Sequence, residues 1–249
     1  MATKNETYEA NLFNNKTFSD VIVRHETYGN NTPRIYQAHK AVLSLHSKFF
    51  MKAFMGNFKE ASEREIKTFF GNPGSFEFAL KFIYTQTYDC KQVKTLAGKD
   101  EVKRVLIPCE IYRIADYYGI TNLKEHATND LVQALKSSCF LDGKPNMSCI
   151  KEVLARTYAE EEYESGTYLG MKIVLEIMKR NTFTFDDDFR DFLANHQAFA
   201  ADLALICYDA DLLSVTSAAC KSCLHTHFFK VMPVKCRNCR AKFRPEYYK

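Results

Sequence analysis

Alternating apolar and polar residues open the patterned part of the chain, and helical spacing takes over after them. Asp20-Val21-Ile22-Val23-Arg24 reads as one strand and Ile35-Tyr36-Gln37-Ala38 as a second. The turn cluster Gly29-Asn30-Asn31-Thr32-Pro33 between them predicts a hairpin. Residues 1–17 are polar and predict a loose N-terminal segment. From Lys40 to Phe54, Val42, Leu45, Phe49, Phe50, Ala53 and Phe54 recur near helical spacing, which predicts a buried stripe on one helix or a helix pair. Pro73-Gly74-Ser75 punctuates the chain, with Ser75 placed to cap a helix whose Phe76, Ala79, Leu80 and Ile83 share a face. Residues 88–106 are charged and weakly patterned and predict a surface loop insertion. A helix over 109–118 carries Ile111, Ile114, Ala115 and Tyr118 on one face and ends at Gly119. The next begins at Thr121, with Leu123, Ala127, Leu131 and Leu135 at every fourth position.

Asp142-Gly143-Lys144-Pro145-Asn146 is the clearest internal boundary. Beyond it the periodicity predicts helices over about 148–163, 166–180, 187–196 and 198–213, the second with Leu169, Ile173, Ile177 and Met178 inward. The expected plan is therefore a loose segment over 1–17, a mixed α+β unit over 18–135, a helical region over 146–214 and a small ribbon over 215–249.

The ribbon is expected because of its cysteines. Cys220-Lys221-Ser222-Cys223 and Cys236-Arg237-Asn238-Cys239 are two C-x₂-C knuckles separated by twelve residues. That spacing lets each pair wrap one side of an ion, with four thiolates about 2.3 Å from the metal. The segment is too poor in apolar residues to fold alone, so metal binding supplies most of its folding free energy. The expected cofactor is one structural Zn²⁺ on Cys220, Cys223, Cys236 and Cys239. His225 and His227 are alternative ligands that the four-cysteine set does not need. Cys90, Cys109, Cys139, Cys149 and Cys207 are scattered and read as ordinary buried thiols.

Composition agrees with a folded chain: 249 residues, 46% hydrophobic and 26% charged, leave room for one sizeable core and a smaller unit. Trp is absent, so 20 Phe and 14 Tyr must supply the large core side chains. The net charge of +4 is unevenly placed: from Cys220 onward eight Lys or Arg face one acid, a net of +7 against −3 for residues 1–219. A basic zinc module on an acidic body can touch nucleic acid; the alternative is a solvated surface that keeps the metal site soluble. Met1–Glu6 has no apolar signal core and no membrane-length apolar run occurs. The expected location is cytoplasmic or nuclear, and the sequons at Asn5, Asn15, Asn30 and Asn146 read as chance.

Several short blocks in the first 135 residues resemble the BTB/POZ family. They are Phe18-Ser19-Asp20-Val21, Ala38-His39-Lys40-Ala41-Val42-Leu43-Ser44, Ser47-Lys48-Phe49-Phe50, Phe82-Ile83-Tyr84-Thr85 and Ile114-Ala115-Asp116-Tyr117-Tyr118-Gly119-Ile120. The helical continuation with its C-terminal cysteine pairs is similar to a group of BTB proteins common in fungi. The resemblance implies a protein-interaction module, a small sheet flanked by helical hairpins, that forms homodimers through its N-terminal region and first helix. It also implies a charged pocket near the dimer seam, for which Asp20 and Lys40 occupy the matching positions. The alternative for that pair is a surface ion pair worth under ~1 kcal/mol. His39 reads as a hydrogen-bonded structural histidine.

Phe58-Lys59-Glu60 followed by Ser62 resembles the hydrophobic-x-Glu triplet by which some BTB adaptors hold a cullin scaffold of ubiquitin ligases. An aromatic anchor beside a carboxylate is a sensible hot spot, the ring filling a pocket and the charge fixing register. The alternative is that Phe58 packs under its loop and Glu60 is solvated. Enzyme readings fail on inventory. The chain has no H-x-E with P-C-x-x-C of zinc deaminases, no phosphate loop, no G-x-S-x-G elbow, and too few ligands for a two-zinc RING. Four thiolates leave no open metal position for a catalytic water. Asp186-Asp187-Asp188 lacks the Gly and distal Glu of a calcium loop and reads as acids at a helix start. The expectation is a non-enzymatic adaptor with protein partners, no membrane and no small-molecule substrate. The alternative is a chromatin-associated protein whose basic module contacts nucleic acid.

Overall fold

Strand β1 (Val21–His25) buries Val21, Val23 and His25 and leaves Ile22 and Arg24 half-buried, so its alternation is a true two-sided pattern. A computed structural model describes residues 8–26, 32–56, 58–141, 144–158, 168–179, 187–209, 216–223, 226–229, 235–236, 238–242 and 245–246. β1 pairs antiparallel with β2 (Arg34–Ala38), Val21 opposite Ala38 and His25 opposite Arg34. Its other edge takes β3 (Glu65–Thr68) in parallel, Ile22 opposite Glu65 and His25 opposite Thr68. A parallel partner needs a long crossover. Three helices make it: α1 (Lys40–His46), α2 (Lys48–Met55) and α3 (Lys59–Ser62).

Ser47 divides the apolar stripe over 40–54 into a helix pair. It sits in extended backbone, its Oγ accepts from the Phe50 N–H at 3.2 Å to cap α2, and it donates to the Tyr118 carbonyl at 2.6 Å. Phe50 is buried and Val42, Phe49, Ala53 and Phe54 pack on the core, but Leu45 is 70% exposed and leaves the stripe.

Four further expectations are corrected. The segment 1–17 is not loose from Tyr8 on: Tyr8–Leu12 is a 3₁₀ turn, Leu12 and Phe13 pack on the core, and Phe13 meets Tyr84 edge-on at 5.9 Å. The cap of α4 (Pro73–Thr85) is Asn72 rather than Ser75, its Oδ1 accepting from the N–H groups of Gly74 and Ser75 with Pro73 at the first helical position. Ser75 is instead buried and donates to Glu110. The 88–106 stretch is helix rather than loop, comprising α5 (Cys90–Ala97) and the start of α6 (Glu101–Tyr117). Asp89 and Asp100 cap them, and Val93, Ala97, Val102 and Val105 are buried. Cys90 is exposed, unlike the buried Cys109, Cys139 and Cys149.

Helix α7 (Thr121–Ser138) follows the left-handed Gly119, whose φ is +63°. The Arg104 guanidinium from α6 grips Asp130 of α7 at 2.6 and 3.3 Å, and the Tyr88 hydroxyl donates to the same carboxylate at 2.9 Å. Burial and that carboxylate push the Tyr88 phenol far above its ordinary range.

A short hairpin, β4 (Phe140–Leu141) with β5 (Lys144–Pro145), stands at the expected boundary. Then come α8 (Met147–Tyr158), α9 (Tyr168–Met178), α10 (Asp187–Asn195) and α11 (Gln197–Asp209). The predicted extensions to 163, 180 and 213, and the side chains of the Asp186–Asp188 run, lie outside the described residues. One apolar core runs from Val21 and Val23 through Phe82, Ile114 and Leu131 to Ile150, Ile173 and Phe199. The C-terminal sheet, ordered β7-β6-β8 from β6 (Thr216–Cys220), β7 (Thr226–Phe229) and β8 (Pro245–Glu246), carries its own small cluster of Cys220, Cys223 and Cys236. Among the described residues no helix is long and apolar enough to cross a membrane.

Candidate interaction surface and metal centre

Extended backbone at Phe58 starts the four-residue α3, and its ring stands 62% exposed rather than under the loop. The ring lies across Gly56, where an added Cβ would sit 2.8 Å from the Phe58 ring and from the Lys52 carbonyl. Only a residue without a side chain allows that placement. Glu60 is half-buried, and Ser62 is exposed with its Oγ donating to the Lys59 carbonyl at 3.0 Å.

A helix of four residues has almost no hydrogen bonds of its own, so its carbonyls need outside donors. Lys40 of α1 provides them. Its Nζ donates to the carbonyls of Ala61 at 2.8 Å, Glu63 at 3.0 Å and Glu60 at 3.4 Å, and stands 5.3 Å from the centre of the Phe54 ring. Asp20 contacts Lys40 differently from an ion pair: its Oδ1 accepts from the Lys40 backbone N–H at 2.8 Å, capping the start of α1 from the residue just before β1. The two residues expected at one charged pocket are thus in contact through the backbone, and the ammonium is turned to α3. This latch was beyond sequence reasoning, because Lys40 and its acceptors are twenty or more positions apart and no local pattern links them.

His39 is a structural residue. Its Nε2 donates to the Thr17 carbonyl at 2.8 Å, its Nδ1 meets the Tyr84 hydroxyl at 3.1 Å, and that hydroxyl also accepts the His39 N–H. Burial pushes the Tyr84 phenol up to about 12. His25 is held alike, Nε2 donating to the Gly71 carbonyl at 3.0 Å, Nδ1 at 3.1 Å from the Thr68 hydroxyl and its ring stacked on Phe76 at 4.1 Å. Burial lowers its basicity.

The four cysteines come together. Their Sγ atoms all lie within 4.8 Å of one another, with Cys220 to Cys239 at 3.8 Å and Cys223 to Cys236 at 3.7 Å. A tetrahedron with metal–sulfur bonds of about 2.3 Å has edges of about 3.8 Å, so the spacing fits four thiolates on one ion. Strand β6 delivers Cys220 at its end and the turn after it presents Cys223. The second knuckle is closed by the Lys235–Lys242 bridge, by Cys236 N–H to Ala241 and by Arg240 N–H to Cys236. The Cys239 N–H and the Asn238 amide point at the sulfurs of Cys236 and Cys223 at 3.4 and 3.6 Å, as second-sphere donors to thiolate do. His225 and the His227 side chain lie outside the described residues.

The BTB/POZ domain family profile matches residues 10–135, half of the chain. The chain belongs to the BTB/POZ family. Residues 10–135 therefore form a protein-interaction domain, as the sequence blocks imply. The mouse Kelch repeat and BTB domain-containing protein 4 is 33% identical over 103 residues, which are 41% of this BTB/POZ chain and 17% of that protein. The human protein of the same name is 32% identical over the same length and shares. The chain thus spans about a sixth of the curated relatives it matches. The BTB domain of zebrafish PATZ1 is 21% identical, with a TM-score of 0.36, over 53% of this chain and 98% of that domain.

Proposed function

We propose that this BTB/POZ protein is a non-enzymatic recruitment adaptor of the cytoplasm or nucleus. It self-associates through its BTB domain and holds a cullin scaffold of a ubiquitin ligase through Phe58, Glu60 and Ser62. The observation that carries this reading is the exposed Phe58 ring beside Glu60 on a turn that Lys40 anchors. An exposed aromatic on a short, held element loses little entropy on binding. The helical region and a ribbon built around one structural Zn²⁺ on Cys220, Cys223, Cys236 and Cys239 would carry the client. Binding of the purified chain to the N-terminal domain of a BTB-binding cullin tests this. Micromolar or tighter affinity lost in Phe58→Ala/Glu60→Ala supports it, and no binding by a folded, zinc-loaded sample sinks it.

A second reading has its own observation. Lys221, Lys235, Arg240 and Lys242 are all exposed around the cysteine cluster. In that reading the ribbon contacts phosphate backbones in a chromatin-associated assembly, and affinity for DNA would fall steeply between about 50 and 200 mM salt. A cullin contact anchored by Phe58 would not.

A further inference from the structure

Ser62 is the one Ser or Thr of the chain followed by acids at both the first and third positions, Glu63 and Glu65. It is exposed, as are Glu63 and Arg64 after it. The carbonyls on either side of it, those of Ala61 and Glu63, both accept from the Lys40 ammonium. Among the described residues its own hydroxyl bonds locally, donating to the Lys59 carbonyl. A four-residue surface turn held chiefly by one lysine opens locally when that hold is broken, and a kinase cleft requires such opening.

We propose that Ser62 is a phosphorylation site for a Ser/Thr kinase that selects acidic residues after its target, and that its phosphate releases α3 from Lys40. In the transfer, Ser62 Oγ attacks the γ-phosphorus of ATP. The new O–P bond forms as the bond to the bridging oxygen breaks, ADP leaves with that electron pair, and the hydroxyl proton passes to the kinase's base.

The phosphate adds about −1.5 to −2 charge at the C-terminal end of a helix, where the carbonyl dipoles already oppose it. Glu63 adds further repulsion. Lys40 is one ammonium shared by three carbonyls, and a phosphate tethered between two of them is a stronger acceptor than any. Moving Lys40 to the phosphate leaves α3 without its outside donor. The Phe58–Glu60 surface then loses its held geometry. The functional meaning of this device rests on the recruitment reading above, although its chemistry does not.

The test uses the full, zinc-loaded chain with ATP, Mg²⁺ and a constitutively active acidic-directed Ser/Thr kinase. Phosphosites are mapped by peptide mass spectrometry, and amide exchange is compared among phosphoprotein, unmodified protein and Lys40→Met. The expected result is phosphate on Ser62, absent in Ser62→Ala, with exchange at Ala61 and Glu63 accelerated to the level of Lys40→Met. A folded chain left unmodified at Ser62, or a phosphoprotein whose α3 amides exchange as before, overturns the proposal. Cullin binding is read in parallel. A scaffold bound by the unmodified chain and at least tenfold more weakly by the phosphoprotein supports it, and equal affinity overturns it. If the unmodified chain does not bind at all, the recruitment reading fails, and the exchange result alone decides the phosphorylation device.

Discussion

Replacing Lys40 with Met keeps the stem against Phe54 and removes only the ammonium. Two carbonyls lose a good charged donor, Ala61 at 2.8 Å and Glu63 at 3.0 Å, while the Glu60 contact at 3.4 Å is weak already. A hydrogen bond to a charged group contributes about 1.5–3 kcal/mol. The Glu63 bond faces solvent, so water replaces much of it, and about one buried bond's worth, ~2 kcal/mol, is the expected local loss. That corresponds to roughly a 30-fold rise in the opening of α3. The assay is amide exchange at Ala61 and Glu63, whose N–H groups donate within the turn to Phe58 and Lys59, both at 3.0 Å. Val23 and Tyr36, in the sheet, should exchange as in the parent, and Lys40→Arg should restore part of the protection. Unchanged exchange at Ala61 and Glu63 would refute the latch. Equal acceleration in the sheet would show that Lys40 supports the whole fold and not α3.

Cys236→Ser/Cys239→Ser should lower bound zinc from one per chain to none and unfold the ribbon, while the main core melts where it did, since the cysteine cluster lies apart from it; metal analysis and a thermal melt read both, and retained zinc would exclude the four-cysteine site. Ser47→Ala should cost about 1–3 kcal/mol, seen as a lower urea midpoint, because the Phe50 N–H and Tyr118 carbonyl lose a buried partner. His25 is less basic when folded, so the unfolded chain binds the extra proton first. Stability from this group is therefore full above about pH 6.5 and falls as the pH drops through that value. Denaturant midpoints across that window should show the slope, and His25→Gln should flatten it. Gly56→Ala should displace the Phe58 ring, weaken the proposed scaffold binding and lower the melting temperature, because the added Cβ also meets the Lys52 carbonyl; unchanged binding by the folded variant would show that the ring's resting position is immaterial.

Legibility in the sequence followed the range of the interactions. The β1–β2 pairing was readable because alternation and a turn cluster lie side by side. The cysteine site was readable because metal geometry is written in short spacings. β3 escaped notice: four residues with one large apolar side chain, Ile66, give no period, and its partner lies about forty residues upstream. The 88–106 stretch misled because two helices of different phase share it, and exposed Lys and Asp residues outnumber Val93, Val102 and Val105. Asp89 and Asp100, each a capping residue before its helix, were the available signal. Likewise Asn72 before Pro73 marks the start of α4 better than Ser75 does. For the proposed recruitment surface, the residue types at Phe58, Glu60 and Ser62 were visible. What holds them was not, since a lysine stem reaching another helix leaves no periodic trace.

The hairpin at 140–145 punctuates the sequence without dividing the molecule. Tyr112 of α6 stacks on Tyr168 of α9 at 6.1 Å, Arg113 donates to the Thr157 carbonyl at 3.1 Å, and α7 lies against α9. A fragment ending at residue 135 would strip these neighbours and wet the surfaces of α6 and α7 on which α8 and α9 pack. Such a fragment should be sticky and poorly behaved even though it contains every residue that the family profile spans. The practical unit for expression, labelling or fusion is the whole stretch up to the end of α11, and a tag or cut belongs between α11 and the ribbon. This continuity has a mechanical side: a load applied to α11 passes to α9, and from α9 to the α6–α7 pair, through side chains packed against one another.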